Sequence, residues 1–263
     1  MVTGQKIRQL VLEQSARAHV GHIGSALCVA DVIAALYQDV LHLPGPKAPD
    51  RDRFILSKGH AALALYAALH LKGWLSGEDI ATYCADGTLL GVHPDHQLPG
   101  VDFTTGSLGQ GLSIGAGVAL AARLRGDGYR AFVLVSDAEC NEGALWEAAM
   151  FAAHHRLVNL VAIVDVNGQQ ALGATRDILD LEPLAGRWQS FGWDVQEVDG
   201  HSPHLMTRCL KGLDDRQGQP HVVLARTVFG RGVSFMERRL AWHYSPMNES
   251  QYHQAMAEVS GLR

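Results

Sequence analysis

Ile7, Leu10, Val11 and Ala18 fall at near-helical spacing and predict an opening helix, and a second helix is expected from Val29 to Tyr37. Between them lies GHIGS, a histidine bracketed by glycines. Pro44, Pro46 and Pro49 then make an extended connection to RDRFIL, a short β-rich run that stops at the polar, glycine-containing SKGH. A helix resumes through AALALYAALHL, and Ser76 followed by Asp79 is a capping-box-like start for a short helix ending near Cys84. After the glycine-rich stretch TLLGVHPDHQLPGVDFTTGSLGQG the pattern becomes cleaner. AFVLV at 131–135, LVAIVD at 160–165, WDVQEV at 193–198 and HVVLAR at 221–226 read as buried strands of a mainly parallel sheet. The segments 143–156, 177–190 and 202–213 are long enough for crossover helices, so the alternation predicts a doubly wound α/β sheet flanked by helices. No internal repeat or flexible linker interrupts it, so 1–263 reads as a single domain, with 230–263 as a C-terminal loop and helix extension.

Composition narrows the classes. A chain of 263 residues with 47% hydrophobic residues can fill a core, which excludes disorder as its main state. With 19% charged residues and a net charge of -5 it offers no basic field for nucleic acid or anionic membrane, so neither is expected as a partner. The uncharged run Phe103 to Ala122 is broken by five glycines and reads as a loop entering a helix, not a membrane span. Cys28, Cys84, Cys140 and Cys209 form no CxxC pair, and MVTGQKIRQLVLEQ has no signal-peptide pattern; both fit a reducing, cytoplasmic setting.

In open α/β sheets ligands bind beyond the carboxyl ends of the strands. Those ends carry SKGH, SDAEC, DVNGQ and TVFGRG, although polar and glycine residues also belong in any βα turn. GSLGQG at 106–111 has its glycines in the wrong order for a dinucleotide turn, and GQQALGAT at 168–175 places Ala174 where a P-loop requires lysine. Asp137 and Asn167 end consecutive candidate strands, and a pair of oxygen ligands there suits Mg²⁺; a capping Asp and a turn Asn explain the same letters. Of fourteen histidines, His22, His60 and His93 sit beside glycine or proline in predicted loops, whereas His70, His154, His155 and His204 lie in helical stretches. No HExxH spacing or GxSxG elbow is present. Glu142 and Glu147 read equally as first-turn acids, and Arg231, between two glycines, as an anion contact or a solvated side chain.

Taken together and in order, these segments resemble the N-terminal, diphosphate-binding half of the transketolase family. GHIGSALCVADVIAALY is similar to its opening histidine block, DRFILSKGHAALALYAAL to its second, and GVHPDHQLPGVDFTTGSLGQGLSIGAGVALA to its cofactor loop. VLVSDAECNEGALWEAAMFAAHHRLVNLVAIVDVNGQQALG resembles the thiamine-diphosphate motif that opens on Gly-Asp-Gly and closes on Asn. The resemblance implies thiamine diphosphate and Mg²⁺ as cofactors, with the metal on Asp137, Asn167 and the main-chain carbonyl of Gln169. It implies that His60 and His243 hold the diphosphate together with the peptides of Ala138 and Glu139, and that Gly106 and Leu108 line the aminopyrimidine. It makes His22, His60, His93, His243 and Glu142 the catalytic set: His22, His93 and His243 meet the sugar, and Glu142 faces a partner subunit.

The implied activity is transfer of a two-carbon ketol unit from a ketose to an aldose or other aldehyde acceptor. The chain stops shortly after NESQYHQAMAEV, where a full-length transketolase continues into its pyrimidine-binding part. A split enzyme is therefore expected, completed by a separate C-terminal subunit, as an α2β2 assembly. Ser136 and Ala138 depart from the family's glycines, Ile23 from its proline, and Tyr244 from the glycine of related split subunits. Two other readings share these residues: a decarboxylative acyloin-type synthase subunit, and a catalytically inactive regulatory subunit.

Overall fold

The computed structural model describes residues 1–261, so the last two residues of the expected C-terminal extension lie outside the described residues. Helix α1 (Gly4–Ala18) starts where the Thr3 side chain accepts the Lys6 N–H and ends on His19 in the left-handed conformation. The second helix begins earlier than predicted. Instead of starting at Val29, the chain forms α2 (Ile23–Cys28) and α3 (Ala30–Ala35) and runs on into a π-helical turn at Leu36–Val40. His22, at φ 60, turns the chain away from α1, and its carbonyl accepts the Ala26 N–H, so helical bonding resumes at the histidine.

Strand β1 (Arg53–Leu56) leads through a 3₁₀ turn at Gly59–Ala61 into α4 (Ala62–Leu71). The short α5 (Gly77–Ile80) is set by the reciprocal capping box of Ser76 and Asp79. Next come α6 (Gly111–Arg125), β2 (Ala131–Ser136), a 3₁₀ turn at Ala138–Asn141, α7 (Gly143–His154) and β3 (Leu160–Val166). A small hairpin, β4 (Gln169–Gln170) with β5 (Gly173–Ala174), was not predicted. The crossover expected over 177–190 is two short helices, α8 (Thr175–Ile178) and α9 (Leu184–Ser190). Between them the Asp180 and Glu182 side chains accept the Glu182 and Leu184 N–H groups, and Pro183 has none to give, so helix cannot run through. Strand β6 (Asp194–Asp199), α10 (Pro203–Lys211), β7 (His221–Arg226), a 3₁₀ turn at Leu240–His243 and α11 (Glu249–Ser260) complete the order.

The five long strands form one wholly parallel sheet in the order β1-β2-β3-β7-β6. Alternate residues serve opposite faces. Phe132, Leu134, Val161, Ile163 and Val223 meet a layer containing α1, α3, α4 and α10, while Val133, Val135, Ala162, Val164 and Leu224 meet α6, α7 and α9. Burial on both faces explains why β2, β3 and β7 read as unbroken apolar runs. Strand β6 departs from the prediction of a buried strand. It is an edge strand paired only with β7, and Gln196, Glu197 and Asp199 are exposed. All five strands point their carboxyl ends the same way, which gathers the polar loops at one rim.

Candidate functional site

The loops after β1, β2, β3 and β7 meet at that rim. Asp137 follows β2 and Asn167 follows the neighbouring β3. The Asp137 side chain is buried and accepts the Ala138 N–H on Oδ1 (2.9 Å) and the Gly168 N–H on Oδ2 (2.8 Å). It has no ion-pair partner among the described residues, and burial, with the nearby Asp165 charge, pushes its pKa up to about 7. Asn167 donates through Nδ2 to Asp165 Oδ2 (2.7 Å), and its Oδ1 accepts the Gln169 N–H (2.8 Å). Each of these oxygens keeps a free lone pair, and a buried, unpaired carboxylate beside a second acid is a site that a divalent cation relieves. Asp137, Asn167, Gly168 and Gln169 line a cavity of about 390 Å³ that is also bounded by Leu179 and Thr227.

Three histidines from distant parts of the chain form a second feature. The rings of His22, His60 and His243 lie 5.3 to 5.7 Å apart, centroid to centroid, and Phe229 stacks on His243. His22 donates its backbone N–H to the His243 carbonyl (3.2 Å), while its buried Nδ1 has no hydrogen-bond partner. Burial lowers all three pKa values, and repulsion from other histidines adds to it. His60 is driven well below its ordinary value, with Lys58 as the next cause; His243 falls to about 4, and His22 is lowered further by His93. Neutral imidazoles able to accept a proton therefore line this part of the rim.

His93 stands apart from the three rings. It is exposed, its carbonyl accepts the Tyr66 hydroxyl (2.9 Å), and it lines a hollow of about 480 Å³ with Thr105, Gly106 and Gln110. Gly106 has φ +156, and a Cβ there would lie 3.0 Å from the His93 ring, so only glycine lets this backbone close on the imidazole. Leu108 is half-buried in the same loop. Glu142 is exposed at the N-terminus of α7 and makes no capping hydrogen bond. Arg231 is half-buried beside Glu237 at 3.6 Å, an ordinary ion pair.

Glu139 follows Asp137 in the same turn. Its side chain turns inward and both oxygens are occupied by Ser57, Gly109 and Ser136, while its N–H donates to Ser136 Oγ. The Ala138 N–H likewise serves Asp137. Sequence reasoning also missed a buried pair directly beneath the rim, Lys58 Nζ with Asp165 Oδ2 at 2.5 Å, both 1% exposed or less. Cys28 Sγ and the Thr227 hydroxyl also donate to Asp165. Burial opposes both charges, yet each charge holds the other in its ionised form: the lysine pKa is raised and the aspartate pKa lowered. The signal was available, since an acid inside the apolar run LVAIVDV demands a partner.

The chain matches, over residues 2–261, the family described as "transketolase, thiamine diphosphate binding domain". It is 40% identical over 258 residues to one of the subunits of the apulose-4-phosphate transketolase of Phocaeicola vulgatus, covering 97% of this chain and 92% of that protein. It is 42% identical over 256 residues to the 6-deoxy-6-sulfo-D-fructose transketolase subunit SqwG of a Clostridium species, covering 96% and 93%. Among solved structures, the transketolase of Campylobacter jejuni superposes with a TM-score of 0.91 at 28% identity, over 98% of this chain and 42% of that one. The chain thus spans less than half the length of the solved transketolases it matches, and nearly the whole length of these two subunit relatives.

Proposed function

We infer the activity from the family: this chain belongs to the transketolases and is their thiamine diphosphate binding domain. It works as the N-terminal subunit of a two-component transketolase, and a separate C-terminal subunit supplies the pyrimidine-binding half. The reaction moves a two-carbon ketol unit from a ketose to an aldose or aldehyde acceptor. The relatives of similar length are themselves named as subunits, which supports the split. The observation that carries the cofactor reading is the buried, unpaired Asp137 carboxylate, set beside Asn167 at the ends of adjacent strands.

When bound, thiamine diphosphate supplies the electron sink that allows a carbon–carbon bond to be broken and remade. The side-chain oxygens of Asp137 and Asn167, with the Gln169 carbonyl, hold Mg²⁺, which suits a hard cation shared with a diphosphate. His60 and His243 bind the diphosphate, and the Gly106 and Leu108 loop lines the aminopyrimidine. His22, His93 and His243 meet the sugar. Being neutral, the His22 and His243 rings can take a hydroxyl proton and return one to the acceptor oxygen. Glu142, exposed at the start of α7, faces the partner subunit. An α2β2 assembly in the cytoplasm completes the reading; among the described residues no helix is long and apolar enough to cross a membrane.

Affinity capture of the tagged chain from its own source cells, in Mg²⁺ and thiamine diphosphate, tests this directly. A stoichiometric second chain with one cofactor per pair is expected, and the captured complex is then assayed for ketol transfer. A homo-oligomer without cofactor would overturn the reading.

A further inference from the structure

Glu139 lies beneath the site and knots three of its loops together. It is fully buried. Its Oε1 accepts the Ser57 hydroxyl, at the end of β1, and the Gly109 N–H of the loop before α6 (3.0 Å). Its Oε2 accepts the Ser136 N–H, at the end of β2 (2.9 Å). The Ser57 oxygen in turn accepts the Gly111 N–H (3.1 Å), so the first residue of α6 joins the same network. Ser136 Oγ accepts the Glu139 N–H (3.2 Å), which closes a reciprocal capping box over Ser136-Asp-Ala-Glu139. Bonds to a buried carboxylate are stronger than neutral ones, and a fully satisfied buried network fixes one arrangement of the parts it joins. The serine that stands where the family has glycine is thereby given a use: its hydroxyl fixes a turn that glycine would leave free.

We propose that the Glu139 carboxylate is a positioning group that sets the affinity for thiamine diphosphate without itself touching it, by holding the 106–111 loop and the Asp137 turn in one register, with Ser136 as its second anchor. The inference rests on the cofactor reading above. Glu139 contributes through the placement of Gly106, Leu108 and Asp137. The departure from Gly-Asp-Gly is, on this view, a rigid substitute for the glycine turn and not a decayed one.

The test uses the complex of this chain with its partner, freed of cofactor and titrated with thiamine diphosphate in excess Mg²⁺ while tryptophan fluorescence is followed. The titration yields both a Kd and a number of sites. A wild-type complex that takes up no cofactor overturns the functional reading itself. Where the wild type binds, Glu139→Gln is expected to raise Kd about tenfold at an unchanged number of sites, because the amide puts N–H groups against donors and loses a charge-assisted bond. Ser136→Gly, although it introduces the family's residue, is expected to weaken binding about threefold, the effect of one lost neutral hydrogen bond. A merely structural role would lower the number of sites and leave Kd unchanged. That result, an unaltered Kd in Glu139→Gln, or tighter binding in Ser136→Gly overturns the proposal. If Glu139→Gln does not assemble, Ser57→Ala removes one donor from the same oxygen and reads the same Kd, with a rise of about threefold expected and an unchanged value refuting.

Discussion

Replacing Lys58 with Met isolates the energetics of the charge pair beneath the site. Met keeps an unbranched side chain of similar reach and deletes the ammonium from a pair that is 1% and 0% exposed. Removing one partner from a buried pair leaves the other charge uncompensated and costs about 3–5 kcal/mol. Asp165 retains donors from Cys28, Asn167 and Thr227, which places the expected loss near the lower bound, about 3 kcal/mol. Against a folding free energy on the order of 5–15 kcal/mol, the variant should fold yet be plainly weakened. Urea unfolding followed by tryptophan fluorescence measures this as a lower midpoint at unchanged slope. Asp165→Asn and the double variant complete a cycle, and the double is expected to cost less than the sum of the singles by about 2 kcal/mol. A loss below about 1 kcal/mol for Lys58→Met, or strictly additive costs, would refute the reasoning.

Asp137→Asn removes the buried carboxylate and sets an amide N–H against one of the two backbone donors it accepts, so added Mg²⁺ and thiamine diphosphate should no longer raise the midpoint of the variant as they do that of the wild type. Differential scanning calorimetry with and without both ligands checks this, and equal stabilisation of both proteins would count against the metal assignment. Gly115 lies where a Cβ would come 2.3 Å from Val133 Cγ2, so Gly115→Leu should lose about 2 kcal/mol by forcing α6 off β2, and adding Val133→Ala should recover part of it in a urea titration. Asp31 is buried against Arg8 and His201; burial opposes its charge, but their hydrogen bonds prevail and hold its pKa below the usual carboxylate range. Its contribution is present above the unfolded pKa of about 4 and lost as pH falls through the folded value. Asp31→Asn should therefore be destabilised by about 3 kcal/mol at pH 7, with the gap to wild type closing in acid, as urea midpoints across pH would report.

Strands β2, β3 and β7 were legible because a parallel sheet buries both faces, so their sequences had to be continuous apolar runs. Strand β6 read the same way but is an edge, a property of strand order that no local pattern carries. The start of α2 was hidden because it depends on the left-handed conformation of His22, and the gap between α8 and α9 because Asp180 and Glu182 capture backbone groups that a helix would need. At the site, His22, His60 and His93 stood out through their glycine and proline neighbours, and Asp137 and Asn167 through their positions at strand ends. That Asp165 needed a partner was legible, but that the partner is Lys58, and that Ser57 meets Glu139, was not, because these pairs join residues far apart in sequence that only the sheet brings together.

The three-histidine cluster has an electrostatic consequence of its own. His22 depresses the proton affinity of both His60 and His243, and His243 that of His60, so a proton on His22 raises the cost of a second on either neighbour. Burial and this repulsion together favour the uncharged form of the rings. The three rings therefore face the rim as polar groups that carry no fixed positive charge.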